Sequence, residues 1–245
     1  MSKEIELSRR ENGLTIRFLA QPIFNDSLFP DQVGIKTLLS YAKNGNGNRI
    51  SSNPDIRFEY FFLFHLNDFE SGDKSEIDLL IRNGETLYMV EVKGFTNPND
   101  TNVKREIIRN YLKLKELTLD NITNSAKFDK VSEIIPVLLY SIPQALKNNK
   151  ANEFNYFNEN YLIYQGYRQK EKISIWDSSS IKLSLQKNFS PSAVEEINRK
   201  LFFLTWDDVY DSLKELNGDG KFVHVLNELR NKKDNFQGNT PLISN

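Results

Sequence analysis

The sequence predicts an α/β fold in which a β-sheet is covered by helices on both faces, with additions at either end of the chain. Three observations carry this. Residues 75–93 read as two strands joined by Asn83-Gly84, a dipeptide suited to a two-residue type I′ hairpin turn. Both strands are apolar on both faces: Ile77, Leu79, Ile81, Tyr88, Val90 and Val92 on one, Leu80, Leu87 and Met89 on the other. Strands of that kind belong to a sheet with both sides covered. The segment that follows, Asn102 to Leu117, carries Val103, Ile107, Tyr111, Leu114 and Leu117 at helical spacing.

Upstream of the hairpin, Phe58, Phe61, Phe62 and His65 also follow helical spacing, and Phe64 and Leu66 broaden the stripe. With Asn53 as a cap and Pro54 in the first turn, this predicts a helix over 55–66. Another is expected near Gln32 to Ala42. Asn44 to Asn48, alternating with Gly45 and Gly47, reads as a loop. Ile134 to Tyr140 reads as a buried strand, which Pro136 would make an edge strand or a bulged one. The Asn-rich stretch 147–160 looks like a surface insertion, and Tyr161 to Tyr167 with Lys172 to Trp176 suggests a hairpin. Phe202 to Leu204 is expected to be a strand. Thr205-Trp206-Asp207-Asp208 resembles a capping box that opens a helix through Leu216, and Phe222 to Arg230 reads as the last helix. The expected organisation is one domain over 1–245, with a core at about 50–145. A helical segment 1–50 precedes the core, an α/β extension 146–230 follows it, and 231–245 is expected to be disordered.

The chemistry lies in the hairpin. With Asn83-Gly84 at the turn, Arg82 faces Glu85, Leu80 faces Leu87 and Asp78 faces Met89. Side chains alternate with period two, so Asp78, Met89, Glu91 and Lys93 share a face and Asp78 is a diagonal neighbour of Glu91, about 7–8 Å away. The same register sets Glu76 opposite Glu91. Facing carboxylates destabilise a ladder, and a divalent cation between them reverses that sign. Oxygen ligands suit Mg²⁺ or Mn²⁺ better than zinc.

Asp78, then twelve residues, then Glu91-Val92-Lys93, resembles the motif of the PD-(D/E)XK nuclease superfamily, whose fold is that of restriction endonucleases. The resemblance covers roughly residues 55–140. It implies a central mixed sheet flanked by helices and a metal-dependent endonuclease that hydrolyses DNA phosphodiesters, of the restriction or phage-defence kind. It further implies that Asp78, Glu91 and the Val92 carbonyl hold Mg²⁺ (or Mn²⁺), that Glu76 or Glu59 holds a second metal or an ordered water, and that Lys93 orients or deprotonates the attacking water. Glu59 matches the carboxylate which members of the superfamily often carry on the helix before the hairpin. It is read equally well as a residue on the solvated side of that helix. Ile107, four residues before Tyr111, stands where several nuclease branches carry glutamine, which argues against the RecB-like branch.

Between Thr101 and Lys115 there are five basic residues and one acid, whereas residues 66–78 hold five acids and one lysine. Arg105, Arg109 and Lys113 recur every four residues, with Lys104 beside them, as candidate phosphate contacts next to an acidic pocket. The net charge of −1 and pI near 6.2 confine any nucleic-acid contact to such a local patch. Double-stranded DNA is the expected partner, and a homodimer with two facing sites would favour double-strand cutting. Branched DNA, DNA ends and RNA stay open as substrates, as does a binding module of this fold without catalysis. The absence of cysteine excludes disulfides and thiolate zinc sites, and His65 and His224 are the only histidines. No apolar run is long enough for a membrane span, and Met1 to Arg10 is too charged for a signal peptide, so a cytoplasmic location is expected.

Overall fold

The computed structural model describes residues 16–20, 32–44, 47–53, 55–67, 74–94, 100–118, 130–141 and 190–235. Six strands form one mixed sheet: β1 (Lys43–Asn44), β2 (Phe58–Asn67), β3 (Lys74–Asn83), β4 (Thr86–Val92), β5 (Glu133–Tyr140) and β6 (Phe202–Thr205). Their order is β1-β6-β5-β4-β3-β2, with β4, β5 and β6 parallel and the other neighbours antiparallel. A π-helical turn at Ile16–Ala20 and helices α1 (Val33–Tyr41), α2 (Asp100–Thr118), α3 (Pro191–Lys200), α4 (Trp206–Glu215) and α5 (Val223–Asp234) complete the described elements. The insertion expected at 147–160 and the hairpin expected at 161–176 lie outside the described residues, as does 236–245.

Helices pack on both faces, as the two-sided apolar strands require. On one face, Leu79, Ile81, Tyr88, Val90, Val92, Val137 and Leu139 meet Ile35 and Leu39 of α1, Trp206 and Val209 of α4, and Leu226 of α5. On the other, Leu80, Leu87, Met89, Ile134 and Leu138 meet Ile107, Ile108, Tyr111 and Leu114 of α2 and Ile197 of α3. Glu196 of α3 ties this second layer to α2. It accepts hydrogen bonds from Tyr111 Oη (2.7 Å) and Lys115 Nζ (2.9 Å), and Lys200 Nζ stands 3.6 Å away. Burial alone would raise the Glu196 pKa, but the hydrogen bonds from Lys115 and Tyr111 outweigh it and hold the carboxyl below its ordinary value of 4.5. A depressed carboxyl stabilises the fold above its unfolded pKa, and that contribution is lost as pH falls through the folded value. Glu196→Gln should therefore cost about 1 kcal/mol at pH 7, allowing for solvent screening. Thermal unfolding of the two proteins should converge as the pH drops below 4.5.

Three local expectations are corrected. Residues 58–67 form a strand, where a helix over 55–66 was expected. Phe58, Tyr60 and Phe62 pack into the first core, Phe61 and Phe64 against the second. A run that is apolar on both sides fits either period, and the density of aromatic side chains, which suit a pleated surface, favours the strand. Second, the hairpin turns at Gly84-Glu85, with Asn83 paired to Thr86. Only Gly84 has a positive φ (64°), at the first central position, as in a type II′ turn rather than type I′. Third, β5 is an interior strand. Pro136 is accommodated because β6 pairing begins one residue later, at Val137, so β5 is locally an edge where the N–H is missing. The capping box holds as expected: Thr205 Oγ1 accepts from Asp208 N and Asp208 Oδ2 accepts from Thr205 N.

Candidate active site

The register shift moves the hairpin by two residues, which keeps the side chains of Leu79 to Val90 on their faces but changes their partners. The β3–β4 ladder ends at Leu79 and Val90, so Asp78 and Glu91 are the next residues on the two strands, in place of the diagonal arrangement expected. Glu76 is carried two residues further out, and the facing Glu76–Glu91 pair does not form. Glu76 instead pairs through the backbone with His65 of β2, and its carbonyl accepts from Asn110 Nδ2 of α2 at 3.0 Å.

Asp78 sits at a break in the sheet. Between the β2–β3 pairs Phe62–Leu79 and Phe64–Ile77, Leu63 and Asp78 face each other outside the ladder. The strands change phase there: Leu79 packs into the first core, but Ile77 into the second. Leu63 adopts a φ of 52°, an unfavourable conformation for a branched side chain. Asp78 thereby leaves the regular alternation, and its Oδ2 accepts the Val92 N–H at 2.7 Å, a side chain substituting for a strand carbonyl.

Glu91 lies on the α2 side of β4, since its neighbours Val90 and Val92 pack into the opposite core. Asp78, Glu91 and Lys93 are all buried, at 8%, 4% and 7% exposure. Lys93 Nζ donates to Glu91 Oε1 at 2.8 Å and to Glu106 Oε2 at 3.0 Å. The Lys93 backbone is held on both sides: its N–H donates to the Leu139 carbonyl at 2.7 Å, and its own carbonyl accepts from Trp206 Nε1 at 2.8 Å. Burial, and then the nearby Asp78 charge, push the Glu91 pKa well above the carboxylate range against the opposing pull of Lys93. Glu91 Oε2 is buried with no hydrogen-bond partner. A buried carboxylate oxygen left unsatisfied beside a second carboxylate is costly in the absence of a cation.

Two carboxylates fit a divalent ion that keeps most of its water shell, as Mg²⁺ does. Among the described residues no group of three or more carboxylate, imidazole or thiolate side chains converges on one point, so the candidate centre rests on Asp78 and Glu91. Glu59 is not brought to it. It lies on β2 opposite Arg82, with Oε2 3.7 Å from Arg82 Nη1 and its side chain 60% exposed, and the helix that would have aimed it at the site is a strand. The side chains of Lys104 and Arg105 lie outside the described residues. Arg109 and Lys113 are half-buried on α2, and Arg109 Nε is buried without a hydrogen-bond partner.

Glu106 is the residue that sequence reasoning missed. It is the one acid among the five basic residues between Thr101 and Lys115. Its one distinguishing signal is its place, a turn before Asn110 on the face of α2 that meets the strand ends. Among the described residues no helix is long and apolar enough to cross a membrane. Comparison with known proteins gives no match: no family model, no curated protein and no solved structure matches this chain.

Proposed function

We propose that this protein is a metal-dependent endonuclease of the PD-(D/E)XK kind, hydrolysing DNA phosphodiesters. The observation that carries the reading is the Asp78–Glu91–Lys93 cluster: two buried carboxylates just past the end of the β3–β4 ladder, one oxygen of Glu91 unsatisfied, and an ammonium 2.8 Å from the other. The sheet order, in which an antiparallel meander continues through a helix into parallel strands, suits the restriction-endonuclease-like fold.

Asp78 and Glu91 would hold Mg²⁺ or Mn²⁺, with the Val92 carbonyl as a further oxygen ligand. Bound there, the ion would supply charge stabilisation at the scissile phosphate and a lowered water pKa. The chain's own contribution is placement. Lys93 donates a hydrogen bond towards the attacking water, from a backbone fixed by Leu139 and Trp206. Arg109, whose buried Nε lacks a partner, and Lys113 would take backbone phosphates without reading bases.

The test is cleavage of supercoiled plasmid, linear duplex, single-stranded DNA and RNA with Mg²⁺, Mn²⁺ or EDTA. Cutting of duplex or plasmid DNA that requires metal and vanishes in Lys93→Ala supports the reading. Cutting of RNA or single strands alone moves the substrate but keeps the chemistry. Folded protein inert on every substrate refutes it.

A pH dependence follows from Glu91. Its pKa in the metal-free protein is raised, while a cation requires the ionised form. Protons and metal therefore compete, so metal affinity should rise with pH through the neutral range and binding should release protons. Calorimetry in two buffers of different ionisation enthalpy reads that release directly. Equal heats in both buffers would contradict it.

A further inference from the structure

We propose that Glu106 is the positioning residue for Lys93, holding the ammonium in place from α2 while Glu91 is engaged elsewhere. This rests on the reading of the site as a hydrolytic metal centre. Lys93 carries a flexible stem, and an ammonium bound at one point swings on an arc about its partner. Here two carboxylates from two elements fix it, Glu91 Oε1 at 2.8 Å from β4 and Glu106 Oε2 at 3.0 Å from α2. They are not equivalent. Glu91 is 5% exposed at its side chain, beside Asp78, and its oxygens are the ones a cation would draw away from Lys93. Glu106 is 40% exposed at its side chain and is free to keep its contact when that happens.

The helix that carries Glu106 is itself anchored to the strand bearing Asp78. One turn on, Asn110 is fully buried and donates through Nδ2 to the Glu76 carbonyl at 3.0 Å. Ile107, Ile108 and Tyr111 lock the same turns into the core. Glu106 thus reaches Lys93 from a rigid support, whereas a solvated surface ion pair would contribute little. Its role is geometric, since a displacement of about 1 Å at a reacting group costs on the order of 100-fold in rate.

Glu106→Gln in the full chain tests this. The expected result is a kcat lowered by about 10- to 100-fold, with the KM for DNA and the half-saturating Mg²⁺ concentration each within about twofold. An unchanged kcat overturns the proposal. A rise of about tenfold or more in the Mg²⁺ requirement also overturns it, by making Glu106 a metal ligand. The ¹⁵N resonance of Lys93 Nζ separates this from the underlying reading. An ordered ammonium signal present in the wild type and lost in Glu106→Gln supports positioning. A signal unaffected by the substitution refutes positioning even in an active enzyme. Wild-type protein that cuts nothing with any metal refutes the hydrolytic reading, and with it the role of Glu106 in hydrolysis.

Discussion

Asp78→Asn should lower metal-dependent DNA cleavage by at least about 10³-fold while leaving a folded protein. The carboxylate has two tasks, and the substitution separates them. Its Oδ2 accepts the Val92 N–H at 2.7 Å where the β3–β4 ladder has ended. An asparagine oxygen keeps that hydrogen bond but removes the charge that would bind a cation. Asp78→Ala removes both, and the orphaned buried N–H should add a stability loss of about 1–3 kcal/mol. The two variants should thus be equally inactive but unequally stable, read by plasmid cleavage beside thermal unfolding. An Asp78→Asn protein that cuts at near wild-type rate would place the metal chemistry elsewhere.

Trp206→Ala should produce the largest loss of stability, about 3–5 kcal/mol, or roughly 10 °C in Tm. Trp206 is fully buried, packs edge-on against Phe18 with centroids 5.8 Å apart, and opens α4 directly after the Thr205 cap. Its indole N–H also holds the Lys93 carbonyl at 2.8 Å, so packing and site geometry meet in one side chain. Trp206→Phe separates them. It keeps most of the buried area and loses the hydrogen bond, so stability should fall by only about 1–2 kcal/mol. Cleavage should fall further than that loss explains, because the Lys93 backbone is released on one side. Equal unfolding midpoints for the wild type and the Ala variant would show that the contacts on this face contribute little.

What could be read from the sequence was what is local. The Thr205–Asp208 capping box is complete within four residues and was legible. So was α2, whose stripe of Ile107, Tyr111 and Leu114 is one-sided. The strand β2 was not, because its aromatic residues serve both faces and satisfy a helical period by accident. The hairpin was legible as a hairpin, but Asn-Gly admits two placements of the turn. The choice of Gly84-Glu85 rests on cross-strand pairing that no local rule supplies. The period of two kept Glu91 and Lys93 together through that error, whereas Asp78 reaches them from the break opposite Leu63, which no local rule foretells. The partnership of Lys93 with Glu106 had no local sign, since it depends on how α2 settles over the strand ends. Glu59 failed for the same reason as its supposed helix.

The most direct measurement is calorimetric titration of Mn²⁺ into the wild-type protein and into Asp78→Asn. Saturable binding to the wild type that is lost in the folded variant is the predicted result. Undiminished binding in Asp78→Asn, or none in the wild type from neutral to mildly alkaline pH, would contradict a metal centre at Asp78 and Glu91.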